Sequence, residues 1–130
     1  MKKPKHPKIL IVEDDDISSQ LMKILLEPLE GEILLAKTGP AAIEICRNHK
    51  DIDVILMDIR MPGMSGYEAV RKIREFNQTV YIIAQSAYTL KEDGTKSIEA
   101  GCNNFISKPI DGEDLLQMVR AAMQNRTSTP

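Results

Sequence analysis

Five side chains suited to holding a phosphoryl group each stand just past a short apolar run. Glu13 and Asp14, with Asp15 and Asp16 behind them, follow Ile9-Leu10-Ile11-Val12. Asp58 follows Val54-Ile55-Leu56-Met57, Ser86 comes shortly after Tyr81-Ile82-Ile83-Ala84, and Lys108 follows Asn104-Phe105-Ile106-Ser107. Carboxylates without His or Cys are hard oxygen ligands, which suit Mg²⁺ rather than Zn²⁺. If the first and third runs are neighbouring strands, their acids repel one another, and a cation between them relieves the repulsion. Lys108 would add a fixed positive charge and Ser86 a hydroxyl donor. A carboxylate in that company can attack a phosphoryl group in line while the positive charges neutralise its equatorial oxygens. Carboxylates are known phosphoryl acceptors. Each feature alone has a plainer explanation. An acidic run after a strand starts a helix with help from its dipole, and Asp16 reads as that N-cap. Asp58 alone suits a turn, and Lys108-Pro109 alone is a solvated lysine before one. The joint placement at the ends of different strands is what favours the phosphoryl reading.

The elements that must position these residues are readable from periodicity. Runs without polar alternation point to strands buried on both faces, as in a parallel sheet. Ile33-Leu34-Leu35-Ala36 and Asn104–Ser107 are weaker runs of the same kind. Helical spacing lies between them: Ile17, Leu21, Ile24 and Leu25 in the first helix, Ala42, Ile45 and Cys46 in the second, and Ala69, Val70 and Ile73 in the third. Leu115, Leu116, Val119, Ala122 and Met123 mark the last. Thr38 before Gly39-Pro40 opens the second helix, Ser65 and Glu68 form a capping box for the third, Thr89 and Glu92 one for the fourth, and Asp111 caps the fifth. Pro28 should end or kink the first helix near Leu26 or Glu27. The fourth helix, about Lys91 to Ala100, is mostly polar, contains Gly94, and should pack least firmly. The order is strand–helix, repeated five times. Right-handed crossovers then require a doubly wound α/β fold, a five-stranded parallel sheet with helices on both faces. Ligands of such sheets bind beyond the carboxyl ends of the strands.

Composition fits this picture. The chain has 130 residues, enough for one domain and one sizeable core. Trp is absent, so aliphatic side chains must fill that core. The net charge of −2 argues against a general nucleic-acid or anionic-membrane binder. Lys2, Lys3, Lys5 and Lys8 crowd the start, and without them 13 basic residues face 19 acidic ones. Residues 1–7 read as a basic solvated tail, 8–125 as the domain and 126–130 as a C-terminal tail. The apolar runs fall far short of the ~18–20 residues needed to cross a bilayer, and no signal peptide opens the chain. The expected location is cytoplasmic. Cys46 and Cys102 lack metal-ligand spacing and read as buried free thiols.

With these residues in place, the sequence resembles the receiver domain of two-component response regulators. The stretches that carry the resemblance are Ile9–Asp15, Leu56-Met57-Asp58-Ile59-Arg60-Met61-Pro62-Gly63-Met64-Ser65-Gly66, Ile83–Ala87, Glu99–Cys102 and Phe105–Ile110. Together they span roughly residues 8–125. The wording around Ala84-Gln85-Ser86-Ala87-Tyr88 and Ala100-Gly101-Cys102 is most similar to receivers of hybrid sensor histidine kinases. The resemblance implies a flavodoxin-like (βα)5 fold with strand order 2-1-3-4-5. It implies that Asp58 is the phosphoacceptor and that Mg²⁺ is held by Asp14, Asp58, the backbone carbonyl of Arg60 and, through water, Glu13. Ser86 matches the hydroxyl residue that closes on the phosphate, and Lys108 the lysine that pairs with it. Phe105 stands at the aromatic switch position without a hydroxyl. Arg60 and Tyr88 match the positions lining the path of attacking water, and Lys108-Pro109 matches a peptide commonly cis. Glu13 departs from the more common Asp.

The function implied is a phosphoacceptor module of a phosphorelay. It would take a phosphoryl group from a histidine kinase or histidine phosphotransfer protein and present an altered surface on the fourth helix, fifth strand and fifth helix to a downstream protein. It would catalyse only its own modification and slow hydrolysis. Two alternatives stand beside it. A Mg²⁺-dependent aspartyl-phosphate phosphatase needs an acid/base two residues past the nucleophile, where Arg60 stands. A pseudo-receiver acting only as a binding module would not need the full set Glu13, Asp14, Asp58, Ser86 and Lys108.

Overall fold

Five parallel strands form the centre of the computed structural model, which describes residues 6–87 and 91–128. The elements are β1 (Lys8–Val12), α1 (Asp16–Leu26), a 3-10 turn (Glu27–Leu29), β2 (Glu32–Ala36), α2 (Gly39–Asn48), β3 (Val54–Asp58), α3 (Gly66–Arg74), β4 (Tyr81–Ser86), α4 (Lys91–Ala100), β5 (Asn104–Ser107) and α5 (Gly112–Ser128). The sheet order is β2-β1-β3-β4-β5, the order implied by the family resemblance. β1 pairs with β3 in the register Val12↔Met57, so the residues after Val12 and after Met57 emerge side by side.

The strand interiors are apolar on both faces because helices cover both. Leu10, Ile55, Met57 and Ile82 pack with α2 and α3 residues such as Ala42, Ala69, Val70 and Ile73. Ile9, Ile11, Val54, Leu56 and Ile83 pack on the other face with Met22 and Leu26 of α1 and Leu115, Val119 and Ala122 of α5. Most of these side chains are fully buried, each contributing about 1.5–3 kcal/mol if a large aliphatic. β2 lies at the sheet edge and is half-exposed, which explains its weaker pattern. Cys46 and Cys102 are buried free thiols, and burial pushes them up to about 11 and about 12.

Helix starts follow local chemistry. Thr38 Oγ1 accepts from the Ala41 N–H, Ser65 Oγ from Glu68, and Asp111 Oδ1 from Asp114. α1 corrects two expectations. Its N-cap is Asp15, whose carboxylate accepts from the Ser18 N–H, while Asp16 is the first helical residue and pairs with Lys37 at 2.8 Å. Its buried face is Ser19, Met22 and Leu26, whereas Ile17, Leu21 and Ile24 are exposed at 80%, 53% and 58%. Two apolar stripes share this 11-residue helix. The one carrying small Ser19 faces the sheet, where Ser19 Oγ lies 3.5 Å from the Glu13 carbonyl. The helix ends at Leu26, with Pro28 in the following 3-10 turn. α5 runs from Gly112 to Ser128. In α4, Ser97 and Ala100 are buried and Ile98 is exposed. The Thr89 cap expected before it lies outside the described residues.

Gly66 is required by a close approach. The Gly66 N–H donates to the Ile59 carbonyl at 3.0 Å, and a Cβ at Gly66 would press on the Asp58 carbonyl oxygen and sit 2.7 Å from Ile59 Cα. Backbone neighbours cannot give way cheaply. Gly66→Ala is expected to cost about 1–3 kcal/mol, as overpacking does. Urea denaturation checks this, and an unchanged midpoint would mean that the β3–α3 loop can shift freely.

Candidate phosphoacceptor site

Three acids meet at the carboxyl ends of β1 and β3. One carboxylate oxygen each from Glu13, Asp14 and Asp58 can be chosen so that all lie within 4.8 Å of one another. Glu13 and Asp58 are buried, at 2% and 3% exposure, and Asp14 is exposed. The backbone sets this arrangement. The Glu13 N–H continues the β1–β2 ladder by donating to the Ala36 carbonyl at 2.9 Å, and the Ile59 N–H donates to the Gln85 carbonyl at 3.0 Å, locking the end of β3 against β4. The Arg60 N–H donates to Asp58 Oδ1 at 3.1 Å, fixing that carboxylate, while the Arg60 side chain is exposed.

Lys108 arrives from β5. Its backbone N–H donates to the Ser86 carbonyl at 2.7 Å, and the peptide to Pro109 is cis. Its Nζ lies 2.9 Å from Glu13 Oε1 and 3.6 Å from Asp58 Oδ2. Ser86 is fully buried at the end of β4. Phe105 is half-buried and packs against the α2–α3 side of the core. Glu13, Asp14, Asp58 and Lys108 thus share one place, with Ser86 and Arg60 tied to it through the backbone. Tyr88 lies outside the described residues.

Two features were not foreseen from the sequence. Glu13 pairs directly with Lys108, and its Oε2 also accepts from the Asp15 N–H at 3.2 Å. The signal for this was Glu where Asp is more common, since the longer side chain can reach the lysine. Asp15 is the α1 cap, and its hydrogen bonds from Ser18 hold its carboxyl below the usual range.

The electrostatics are unbalanced. Burial, and then the neighbouring Glu13 charge, push the Asp58 carboxyl up to about 7, against the pull of Lys108 and the Arg60 N–H. Burial pushes the Lys108 ammonium down, but the Glu13 hydrogen bond and the Asp58 charge more than offset it, so its pKa is raised. An all-oxygen cluster with one acid held partly protonated by burial and a neighbouring charge fits a hard divalent cation.

The matching family model is the response regulator receiver domain, over residues 9–120, and the chain belongs to this family. It is a receiver domain of the two-component and phosphorelay kind. Among its relatives, a cyclic di-GMP phosphodiesterase of Thermotoga maritima is 38% identical over 118 residues, covering 91% of this chain and 31% of that protein. Hybrid signal transduction histidine kinase I of Dictyostelium discoideum is 33% identical, covering 94% of this chain and 8% of that protein. The chain therefore spans a third or less of these two relatives. Among solved structures, the receiver domain of a Pseudomonas aeruginosa sensor histidine kinase, with a magnesium ion coordinated in its active site cleft, superposes with a TM-score of 0.84 at 30% identity, covering 92% of this chain and 99% of that one. A Saccharomyces cerevisiae receiver domain, crystallised with a histidine phosphotransfer protein, superposes with a TM-score of 0.82 at 28% identity, covering 91% and 89%. No helix among the described residues is long and apolar enough to cross a membrane.

The raised Asp58 pKa fixes the sign of a pH effect. The folded chain holds a proton on Asp58 that the unfolded chain has released, so this group's contribution falls as pH rises from about 4 to about 7. Asp58→Asn is expected to raise the urea midpoint relative to the parent at pH 8 and much less at pH 4.5, with Mg²⁺ narrowing the gap at pH 8 by stabilising the parent. Equal gaps at both pH values would contradict the charge repulsion.

Proposed function

We propose that Asp58 is the phosphoacceptor and that Asp14, Asp58, the Arg60 backbone carbonyl and, through water, Glu13 hold Mg²⁺. The observation that carries this is the convergence of three carboxylates within 4.8 Å, with a lysine 3.6 Å from Asp58. The bound ion supplies positive charge to the phosphoryl oxygens. Asp58 Oδ attacks the phosphorus of a phosphohistidine. A P–O bond forms, the P–N bond breaks, and the imidazole nitrogen keeps the electron pair and then takes a proton. Lys108 leaves Glu13 to pair with the new phosphate, and the Ser86 hydroxyl donates to another of its oxygens. Phe105 then turns inward, driven by apolar burial alone because it lacks a hydroxyl. Arg60 and Tyr88 shield the acyl phosphate from water. The unit is residues 8–125, working in the cytoplasm, without turnover of a separate substrate. The phosphatase alternative is disfavoured because Arg60, not an acid, stands two residues past Asp58.

The phosphodonor, a histidine kinase or phosphotransfer protein, docks on the exposed Ile17, Leu21 and Ile24 face of α1, which adjoins the Glu13–Asp15 end of β1. The downstream partner takes α4, β5 and α5, supported by thin burial of α4 and exposed Ile98.

Four outcomes test this. Incubation with Mg²⁺ and acetyl phosphate should add one phosphoryl group, seen by mass spectrometry, and Asp58→Asn should abolish it. Equal labelling of the Asn variant would overturn the assignment. Asp14→Ala should weaken Mg²⁺ at least about tenfold, or roughly 1.4 kcal/mol, while Asp15→Ala should barely change it. A loss at Asp15 as large as that at Asp14 would move the ligand by one residue. Ile17→Glu with Leu21→Glu should slow transfer from a phosphohistidine protein at least tenfold yet leave acetyl phosphate labelling intact. Replacing both Arg60 and Tyr88 with Ala should shorten the phosphoryl half-life, and an unchanged half-life with Mg²⁺ affinity intact would end the shielding argument.

A further inference from the structure

A cavity of about 400 Å³ opens between α1 and the loop that joins β5 to α5. Leu21, Met22 and Leu25 line one side, Pro109 and Ile110 the other, and Gln85 of β4 lies between them. Gln85 is fully buried, and neither its Oε1 nor its Nε2 has a hydrogen-bond partner among the described residues. Strand alternation puts it on the face of Ile83, which belongs to the core under α1 and α5. A Met or Leu would fill that position with no polar atom to satisfy. A carboxamide offers two donors and an acceptor oxygen, and leaving both ends unpaired in apolar surroundings is costly. The terminal torsion of Gln is broad, so the group can turn both ends toward the cavity. Mostly apolar walls with a few polar groups, Gln85, Ser18 and Lys108, in a space of this volume are the build of a small-molecule site. A single inserted side chain would leave most of that volume unfilled.

We propose that this cavity binds a small, largely apolar molecule with an amide edge, whose N–H donates to Gln85 Oε1 and whose C=O accepts from Gln85 Nε2. The cavity wall includes Lys108, whose Nζ lies 2.9 Å from Glu13 Oε1 and 3.6 Å from Asp58 Oδ2, so the proposed occupant would adjoin the acidic cluster.

The test titrates the ¹⁵N-labelled full chain with dihydroquinolinone, a bicyclic lactam, and with β-tetralone, the same frame with CH₂ in place of the N–H. The lactam is expected to shift the Gln85 side-chain amide and the backbone amides of Leu21, Met22 and Ile110. The tetralone should bind at least about tenfold more weakly, a difference of about 1.4 kcal/mol. Gln85→Met should bind both equally, and Leu21→Trp, which narrows the mouth, should bind neither. Equal affinity of the two probes for the parent chain, a preference for the lactam that survives in Gln85→Met, or no shift with millimolar lactam would overturn the proposal, the last leaving water as the partner of Gln85.

Discussion

The repulsion between Glu13 and Asp58 is the constraint on which the rest of the site depends. Two carboxylates with almost no solvent exposure share a space of a few ångströms. Neither would be tolerated ionised without a counter-charge, and the fold brings one from far along the chain. Glu13 follows β1, Asp58 ends β3, and Lys108 follows β5, with β4 between the last two in the sheet. The ammonium must therefore reach past the end of β4, where the residues are the small Ser86 and Ala87. A long flexible side chain on one edge strand and small ones on its neighbour are two halves of one solution. The parallel sheet is what makes it possible, because every strand then delivers its last residue to the same edge.

Much of this was written in the sequence. Strands buried on both faces read as unbroken apolar runs, and β1, β3 and β4 appear as such. Caps with unambiguous chemistry, Thr38, Ser65 and Asp111, lie where their side chains close the first turns. The strand order did not follow from the runs themselves, since hydrophobicity is silent on which strand lies beside which, and it came with the family resemblance. Periodicity failed on α1, because a short helix with two apolar stripes does not announce which one is inward. Only the sheet decides, and it prefers the stripe with Ser19, which lets the helix backbone approach the end of β1. The Glu13–Lys108 pair was also hidden, because it joins residues 95 positions apart and depends on one methylene.

The apolar stripe left outside on α1 and the unpaired carboxamide of Gln85 belong together. Both depart from what stability alone would select at their positions, an exposed Leu or Ile where a polar residue would serve, and a buried Gln where Met would. Leu21 of that stripe and Gln85 line the same cavity. Violations of local rules that cluster beside a buried acidic cluster are where function is expected to outweigh stability.

Charge counting closes the argument. Three carboxylates and one ammonium leave the cluster at −2, the charge a single divalent cation neutralises. Without the cation, burial and then the Glu13 charge favour a proton on Asp58 and push its carboxyl up to about 7. A proton on Asp58 and a cation beside it are therefore competitors, and a protonated carboxyl is a poor nucleophile. Under the proposed function, metal binding and loss of that proton would be one event, with a cost that falls as pH rises through neutrality. Phosphorylation, under the same proposal, would reverse the balance by adding negative charge at Asp58. Lys108, held closer to Glu13 than to Asp58, is a cation placed to answer it, because its raised pKa keeps it charged.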